Sequence, residues 1–315
     1  MRSRIIQICA AIAALVLAVA TAQNGAFAAS DKESCVTTND VTSFTAGDGT
    51  EVTCDAGTDP PNKAVAHASN EGNALSQAES GSVANTTASG MGAQADALGQ
   101  DGGNAKSTAN GIDAMSDAQA PGDGKAVSSA TGQNTQAETV AASGKATATA
   151  KGLNSQAGAK VELPDGGTAT ATGTDGGIAD AIIPSGGGGT ATATAKTGAQ
   201  ADSELAGGGG KSTSTASGSG SDAAAEGEDG GIAKATASTG ASDVSAAALA
   251  AGCKATSTGS GDGAEASAVC NNPGTVVTVT ATNGSIASGS DINPPICTPM
   301  NGGVAKVKSP AGNCP

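Results

Sequence analysis

Gly144-Lys145-Ala146-Thr147-Ala148-Thr149-Ala150-Lys151, followed closely by Gln156-Ala157-Gly158-Ala159-Lys160, carries the pattern on which most of this chain is built. Small residues alternate with polar ones at period two, as a strand with one buried and one wet face requires. An amphipathic helix would repeat its apolar residues three and four apart, and no such stripe is present.

Working outward from this stretch, two kinds of segment alternate along the chain. The threonine segments recur at 125–130, 145–150, 168–172, 190–194, 211–215, 234–238, 254–258 and 275–282, with looser copies near Lys63, Ser82 and Asn104. Their starts are 20 to 23 residues apart. Between them lie segments richer in acids and glutamine, at 93–97, 136–138, 156–157, 178–181, 200–202 and 263–266. Asp101-Gly102-Gly103, Asp123-Gly124, Asp229-Gly230-Gly231 and the glycine runs 186–189 and 207–210 separate the two kinds. Gly and Asp tolerate the positive φ of tight turns, so each repeat reads strand, turn, strand, turn.

A fixed period of this length is the signature of a solenoid. The sequence therefore predicts an all-β fold, a β-solenoid or β-roll with two short strands in each coil of about 21 residues. About eleven coils would stack at roughly 4.8 Å each.

Composition sets what fills the interior. The chain of 315 residues has no Trp or Tyr, two Phe and one His, against 48 Gly. Large side chains worth roughly 1.5 to 3 kcal/mol each on burial are too scarce for an ordinary core. The parity of the segments predicts an interior of Ala and Ser instead. Inward positions are Ala146, Ala148, Ala169, Ala171, Ala191, Ala193, Ser212, Ser214, Ala235 and Ala255 in the threonine segments, and Ala95, Ala137, Ala157, Ala179, Ala201 and Ala264 in the acidic ones. The competing reading is an acidic, disordered extracellular spacer, since aromatic-poor Gly/Ser/Ala/Thr sequence is also the composition of unfolded linkers. Strand parity kept through many repeats argues against it.

Four parts are predicted. Residues 1–28 form an export signal: Arg2 and Arg4, an apolar stretch from Ile5 to Ala20, and a small-residue cleavage site at Ala26-Phe27-Ala28. Residues 29–61 are an N-terminal cap, 62–290 the solenoid, and 291–315 a C-terminal cap. The expected location is outside the cell or on its surface, with no integral membrane segment once the signal is removed. Cys9 lies in the signal, leaving Cys35, Cys54, Cys253, Cys270, Cys297 and Cys314. An even number in an oxidising compartment suggests disulfides, and consecutive pairing would fasten the ends of the solenoid.

The whole chain carries 15 Lys plus Arg against 29 Asp plus Glu, a net charge of −14. Losing Arg2 and Arg4 with the signal takes the balance to −16. That argues against nucleic acid as a partner.

The two outer faces should differ. The threonine segments would display Thr147 and Thr149, Thr170 and Thr172, Thr192 and Thr194, Thr213 and Thr215, Thr236 and Ser238, Thr256 and Thr258, and Thr278 and Thr280, flanked by Lys145, Lys211, Lys234 and Lys254. Such Thr-x-Thr columns resemble the ice-binding faces of antifreeze proteins, which implies ice as one candidate partner; those faces are usually uncharged, so the lysines depart from the pattern. Threonine also serves simply as a good outward strand residue. The acidic segments would stack Asp96, Asp117, Glu138, Asp180, Asp202, Asp222, Asp243 and Glu265 in one outward column. Stacked like charges repel, and calcium is one ion that could neutralise them, although the Gly-Gly-x-Gly-x-Asp nonapeptide of calcium β-rolls is absent.

Gly144-Lys145-Ala146-Thr147-Ala148 and Asn154-Ser155-Gln156-Ala157-Gly158 resemble the head repeats of trimeric autotransporter adhesins. The resemblance implies a surface-exposed adhesive role toward a protein or glycan and is compatible with a homo-oligomer. The family's repeat is shorter, and its C-terminal membrane-anchoring barrel has no counterpart in this sequence.

Nothing points to catalysis. His67 is the single histidine and has no nucleophile constellation around it, so it reads as an outward residue of the first threonine strand. A repeated column of carboxylates lacks the distinct environments that separate an acid from a base. The expected function is that of a secreted or cell-surface structural and interaction protein without enzymatic activity. Asn85-Thr86-Thr87 and Asn283-Gly284-Ser285 are glycosylation sequons in a suitable host.

Overall fold

The computed structural model describes residues 81–162 without interruption. Before them it describes 33–37, 42–46, 51–56, 63–68 and 72–79, and after them 167–184, 189–197, 200–206, 210–218, 220, 222–227, 232–238, 243–248, 254–260, 265–270, 276–282, 286–291 and 304–308. Among the described residues the chain makes strands and no helix.

Consecutive strands alternate between two sheets of 13 strands each. One, the threonine sheet, runs from Thr42–Ala46 to Val304–Lys308; the other, the acidic sheet, runs from Glu33–Thr37 to Ile286–Asp291. Parallel strands need a crossover, usually a helix. Here each sheet supplies the other's crossover: strand Gln136–Ala141 is the return path between Lys125–Thr131 and Lys145–Lys151. The chain is thus a parallel β-solenoid.

Its period can be read from the ladders. Lys125 pairs with Lys145, Lys145 with Thr168, Thr168 with Thr190 and Thr190 with Lys211, so a coil takes 20 to 23 residues there. The sheets also continue through both regions expected to be separate caps. Glu33–Thr37 and Glu51–Ala56 pair with each other, and Thr42–Ala46 pairs with Lys63–Ala68, all in parallel. Ala-Thr alternation does not mark these rungs, whose sequences are ESCVT, TSFTA and EVTCDA. At the other end, Val304–Lys308 joins the threonine sheet antiparallel to Val276–Thr282, reversing the chain direction on the last rung.

The interior is as small as the parity required. Ala146, Ala148, Ala169, Ala171, Ala191, Ala193, Ser212, Ser214, Ala235 and Ala255 are all buried, as are Ala95, Ala137, Ala157, Ala179 and Ala201. Ala264 lies outside the described residues, and the register gives Ala266 as the inward partner of Val244.

Several hydroxyls inside this core are matched across the two sheets, whereas Thr135 Oγ1 is buried without a partner. Ser76 Oγ meets Thr86 Oγ1 at 2.5 Å, Ser116 Oγ donates to Ser107 Oγ at 2.8 Å, and Ser128 Oγ meets Thr139 Oγ1 at 2.6 Å. Several also reach the backbone of the opposite sheet: Thr86 Oγ1 donates to the Asp96 carbonyl at 2.6 Å and Ser257 Oγ to the Val244 carbonyl at 2.8 Å. A two-atom side chain can span the gap only if the sheets lie closer than the roughly 10 Å of ordinary stacked sheets. Each satisfied pair avoids the cost of about 1–3 kcal/mol for an orphaned buried hydroxyl.

Where larger side chains enter, glycine makes room. Val161, Ile183 and Leu205 are fully buried at the ends of three successive acidic-sheet strands. A Cβ added at Gly167 would stand 2.5 Å from Val161 Cγ1, and one at Gly189 would stand 2.8 Å from Ile183 Cδ1. Gly210 meets Leu205 in the same way.

The turns carry their own ladder. Asp113, Asn134 and Asn154 all adopt left-handed backbone, with φ of 57°, 54° and 56°. Their side chains stack: Asn134 Nδ2 donates to Asp113 Oδ1 at 3.0 Å, and Asn154 Nδ2 to Asn134 Oδ1 at 3.2 Å. Asp and Asn tolerate this region better than other L residues, and here their amides tie one coil to the next.

Cys35 stands opposite Cys54 in the ladder, and Cys54 is buried. Cys270 is buried at the end of its strand, beside Ala248 and Asp291. Cys253, Cys297 and Cys314 lie outside the described residues.

Candidate interaction faces

On the threonine sheet, strand Lys145–Lys151 turns Lys145, Thr147, Thr149 and Lys151 outward and its alanines inward. Register then assigns every neighbour to a column. The column through Thr149 is an uninterrupted line of hydroxyls on ten rungs: Thr87, Thr108, Ser129, Thr149, Thr172, Thr194, Thr215, Thr236, Thr258 and Thr280. All ten are half-buried. The first three were not part of the expected array.

The column through Thr147 is shorter. Thr170, Thr192 and Thr213 follow it, then Lys234, then Thr256 and Thr278. Lys234 therefore stands inside the threonine array and not beside it, and Ser238 pairs with Ser217 at the outer margin instead of entering the Thr149 column. The cause is that Ile232, not Lys234, opens its strand, which moves the whole segment by two positions. A two-residue shift keeps every side chain on its face and changes only its column. Lys145, Lys211 and Lys254 do flank the array.

Near the N-terminal end of this face, Lys63, His67 and Lys106 rim a shallow recess whose floor includes Asn85 and Thr87. His67 is an outward strand residue there. Asn85 is half-buried in the middle of its strand, and the adjacent Thr86 points into the core. Asn283 lies outside the described residues.

The acidic face differs from the single column expected. Asp96, Asp117 and Glu138 stack on three successive rungs; Gly158 follows, then Asp180 and Asp202. Asp222, Asp243 and Glu265 belong to the neighbouring column, because Asp222 pairs with Gln200 and not with Asp202. The offset is again two residues, because Asp222 opens its strand whereas Asp202 is the third residue of its own.

Half-burial among neighbouring side chains pushes five carboxyls of the first column upward. Asp96 is raised to about 7 by desolvation and then by the charge of Asp117. Asp117 is raised to about 6 by desolvation, against a hydrogen bond from Gln119. Its Oδ1 is shielded and has no hydrogen-bond partner. Glu138 and Asp180 are each raised to about 7, again chiefly by desolvation and next by Asp117 and Asp202 respectively. Asp202 is raised from the same causes, with Asp222 as its charged neighbour. Lys160 lowers Glu138 somewhat and itself bonds Glu162 at 2.9 Å.

The carboxylates run along the sheet in neighbouring columns, interrupted at Gly158, and do not converge on a point. Among the described residues no three His, Cys, Asp or Glu come together in an arrangement that could hold a metal ion. No described helix is long and apolar enough to cross a membrane.

Residues 1–139 match a family of unknown function, DUF6764. No curated protein and no solved structure matches the chain. The matched region ends inside strand Gln136–Ala141, so the longer part of the threonine array lies beyond it.

Proposed function

We propose that this chain is an exported structural and interaction protein, without catalytic activity, that works as a rigid display scaffold. The ten-rung hydroxyl column from Thr87 to Thr280 carries this reading, since it offers one chemistry at a constant rise. A surface of that kind suits an extended or repetitive partner. A small substrate would need one differentiated cleft. The open ends of a solenoid invite unwanted pairing, and disulfides joining Cys35 to Cys54, Cys253 to Cys270 and Cys297 to Cys314 would guard them.

The test begins with export. Expression with the native leader, followed by fractionation and N-terminal sequencing, should recover a chain starting at Ala29 in the medium or the envelope. Recovery of intact Met1 in the cytosol contradicts the reading.

A second reading, ice binding, is favoured by the paired columns Thr147/Thr149, Thr170/Thr172, Thr192/Thr194 and Thr213/Thr215, which stay in register on four successive rungs. It requires thermal hysteresis that Thr192→Lys plus Thr213→Lys abolishes. Absence of hysteresis, or its survival in that variant, rejects it.

A further inference from the structure

Charge on the described strands is divided between the two sheets. Every acidic residue that lies in a strand belongs to the acidic sheet, and every strand lysine except Lys160 belongs to the threonine sheet. A chain with a net charge of −14 thus presents one face whose strands carry lysines and no acid.

None of the threonine-sheet lysines from Lys63 to Lys254 forms an ion pair among the described residues. Opposite them, Asp96, Asp117 and Glu138 stack like charges on adjacent rungs, and Asp117 Oδ1 has nothing to accept from. Such stacking costs stability unless cations reach it. The two faces share one rise per rung because the same coils build both. A second copy therefore offers lysines at the same rise per rung as the acids, although not on every rung.

We propose that the threonine–lysine face of one copy docks on the acidic face of another, giving head-to-tail, face-to-face stacks. The contact is heterologous, leaving one face of each kind free, so it extends into open assemblies and does not close as a dimer. Area is sufficient. A six-residue strand is about 20 Å long and ten rungs span about 45 Å, so each face offers on the order of 900 Å², against about 800 Å² per partner in a stable interface. This inference deepens the scaffold reading by naming the partner, and it rests on that reading.

Sedimentation velocity on the purified, exported protein tests it. Oligomers should form in about 20 mM NaCl and dissociate in about 0.5 M, where the Debye length falls to roughly 4 Å. One variant carries Lys145→Glu, Lys211→Glu, Lys234→Glu and Lys254→Glu; another carries Asp117→Lys, Glu138→Lys, Asp180→Lys and Asp202→Lys. Each should stay monomeric alone, and the two should associate when mixed, with circular dichroism checking that both are folded. Should the acidic-face variant misfold, the wild-type salt dependence and the lysine-face variant decide alone. A wild-type monomer at low salt, assembly indifferent to salt, or assembly that survives the lysine reversals overturns the proposal. Capture of the wild-type monomer by an anionic polymer such as dextran sulfate, without self-association, also overturns it while leaving the scaffold reading intact.

Discussion

Ser128 and Thr139 approach from opposite sheets and meet in the core, their hydroxyl oxygens 2.6 Å apart. Thr139 also reaches the Thr147 carbonyl at 2.9 Å. In a core this poor in apolar mass, such bonds take over part of the specification of register. Ser128→Ala should lower unfolding free energy by about 1 kcal/mol, Thr139→Ala by slightly more, and the double variant by less than the sum. A double-mutant cycle in urea checks this; strict additivity would mean the two hydroxyls are not coupled.

Gly189 makes room for Ile183. Gly189→Ala would bring a Cβ 2.8 Å from both Ile183 Cδ1 and the Gly167 carbonyl. The expected cost is about 1–3 kcal/mol. Adding Ile183→Val should recover part of it, since that atom is then gone, while the backbone contact remains. Thermal denaturation of the single and double variants provides the measurement, and no recovery would place the clash with the backbone alone.

The stacked carboxyls give stability an unusual pH dependence. Asp96, Glu138 and Asp180 are raised to about 7 in the folded chain, above the ordinary carboxyl range near 4 of the unfolded one. Between those limits the folded state holds more protons, so stability falls as pH rises and the full penalty is present above about 7. The melting temperature should therefore be higher at about pH 5 than at about pH 8. Asp117→Asn should raise stability by about 1 kcal/mol or more at the higher pH and change it little near pH 4. A melting temperature that climbs with pH across this window would show that the acids are solvated or paired.

Cys35 stands opposite Cys54 in the ladder, which is where the proposed disulfide between them can be tested. Peptide mapping of the unreduced exported protein should recover them in one cross-linked pair. Reduction should cost about 2–4 kcal/mol. Free thiols at both positions would contradict the pairing.

Much of this architecture was legible in the sequence because a solenoid expresses its fold as local parity. The buried alanines at 146, 148, 169 and 171 and the outward threonines between them follow from period two alone. Column membership did not follow so readily. Period two gives Lys234 and Asp222 their face but not their column, since a shift of two residues is invisible to it. The hydroxyl pairs were also hidden. They join residues such as Ser128 and Thr139, eleven apart, whose meeting depends on the turn between two strands and on how close the sheets lie. The turn ladder through Asn134 and Asn154 has a sequence signal, an Asn recurring at the repeat period, that lies outside the Gly and Asp-Gly turn pattern.

In-register stacking is the central claim, and a distance along the hydroxyl column measures it directly. Spin labels attached through non-cysteine chemistry at Thr108 and Thr258 stand seven rungs apart in the ladder. Pulsed electron resonance should give a narrow distribution near about 34 Å, lengthening by about 4.8 Å when the second label moves one rung on to Thr280. A broad distribution centred on roughly 65 Å, the span of a flexible chain of that length, would contradict the solenoid and every face built on it.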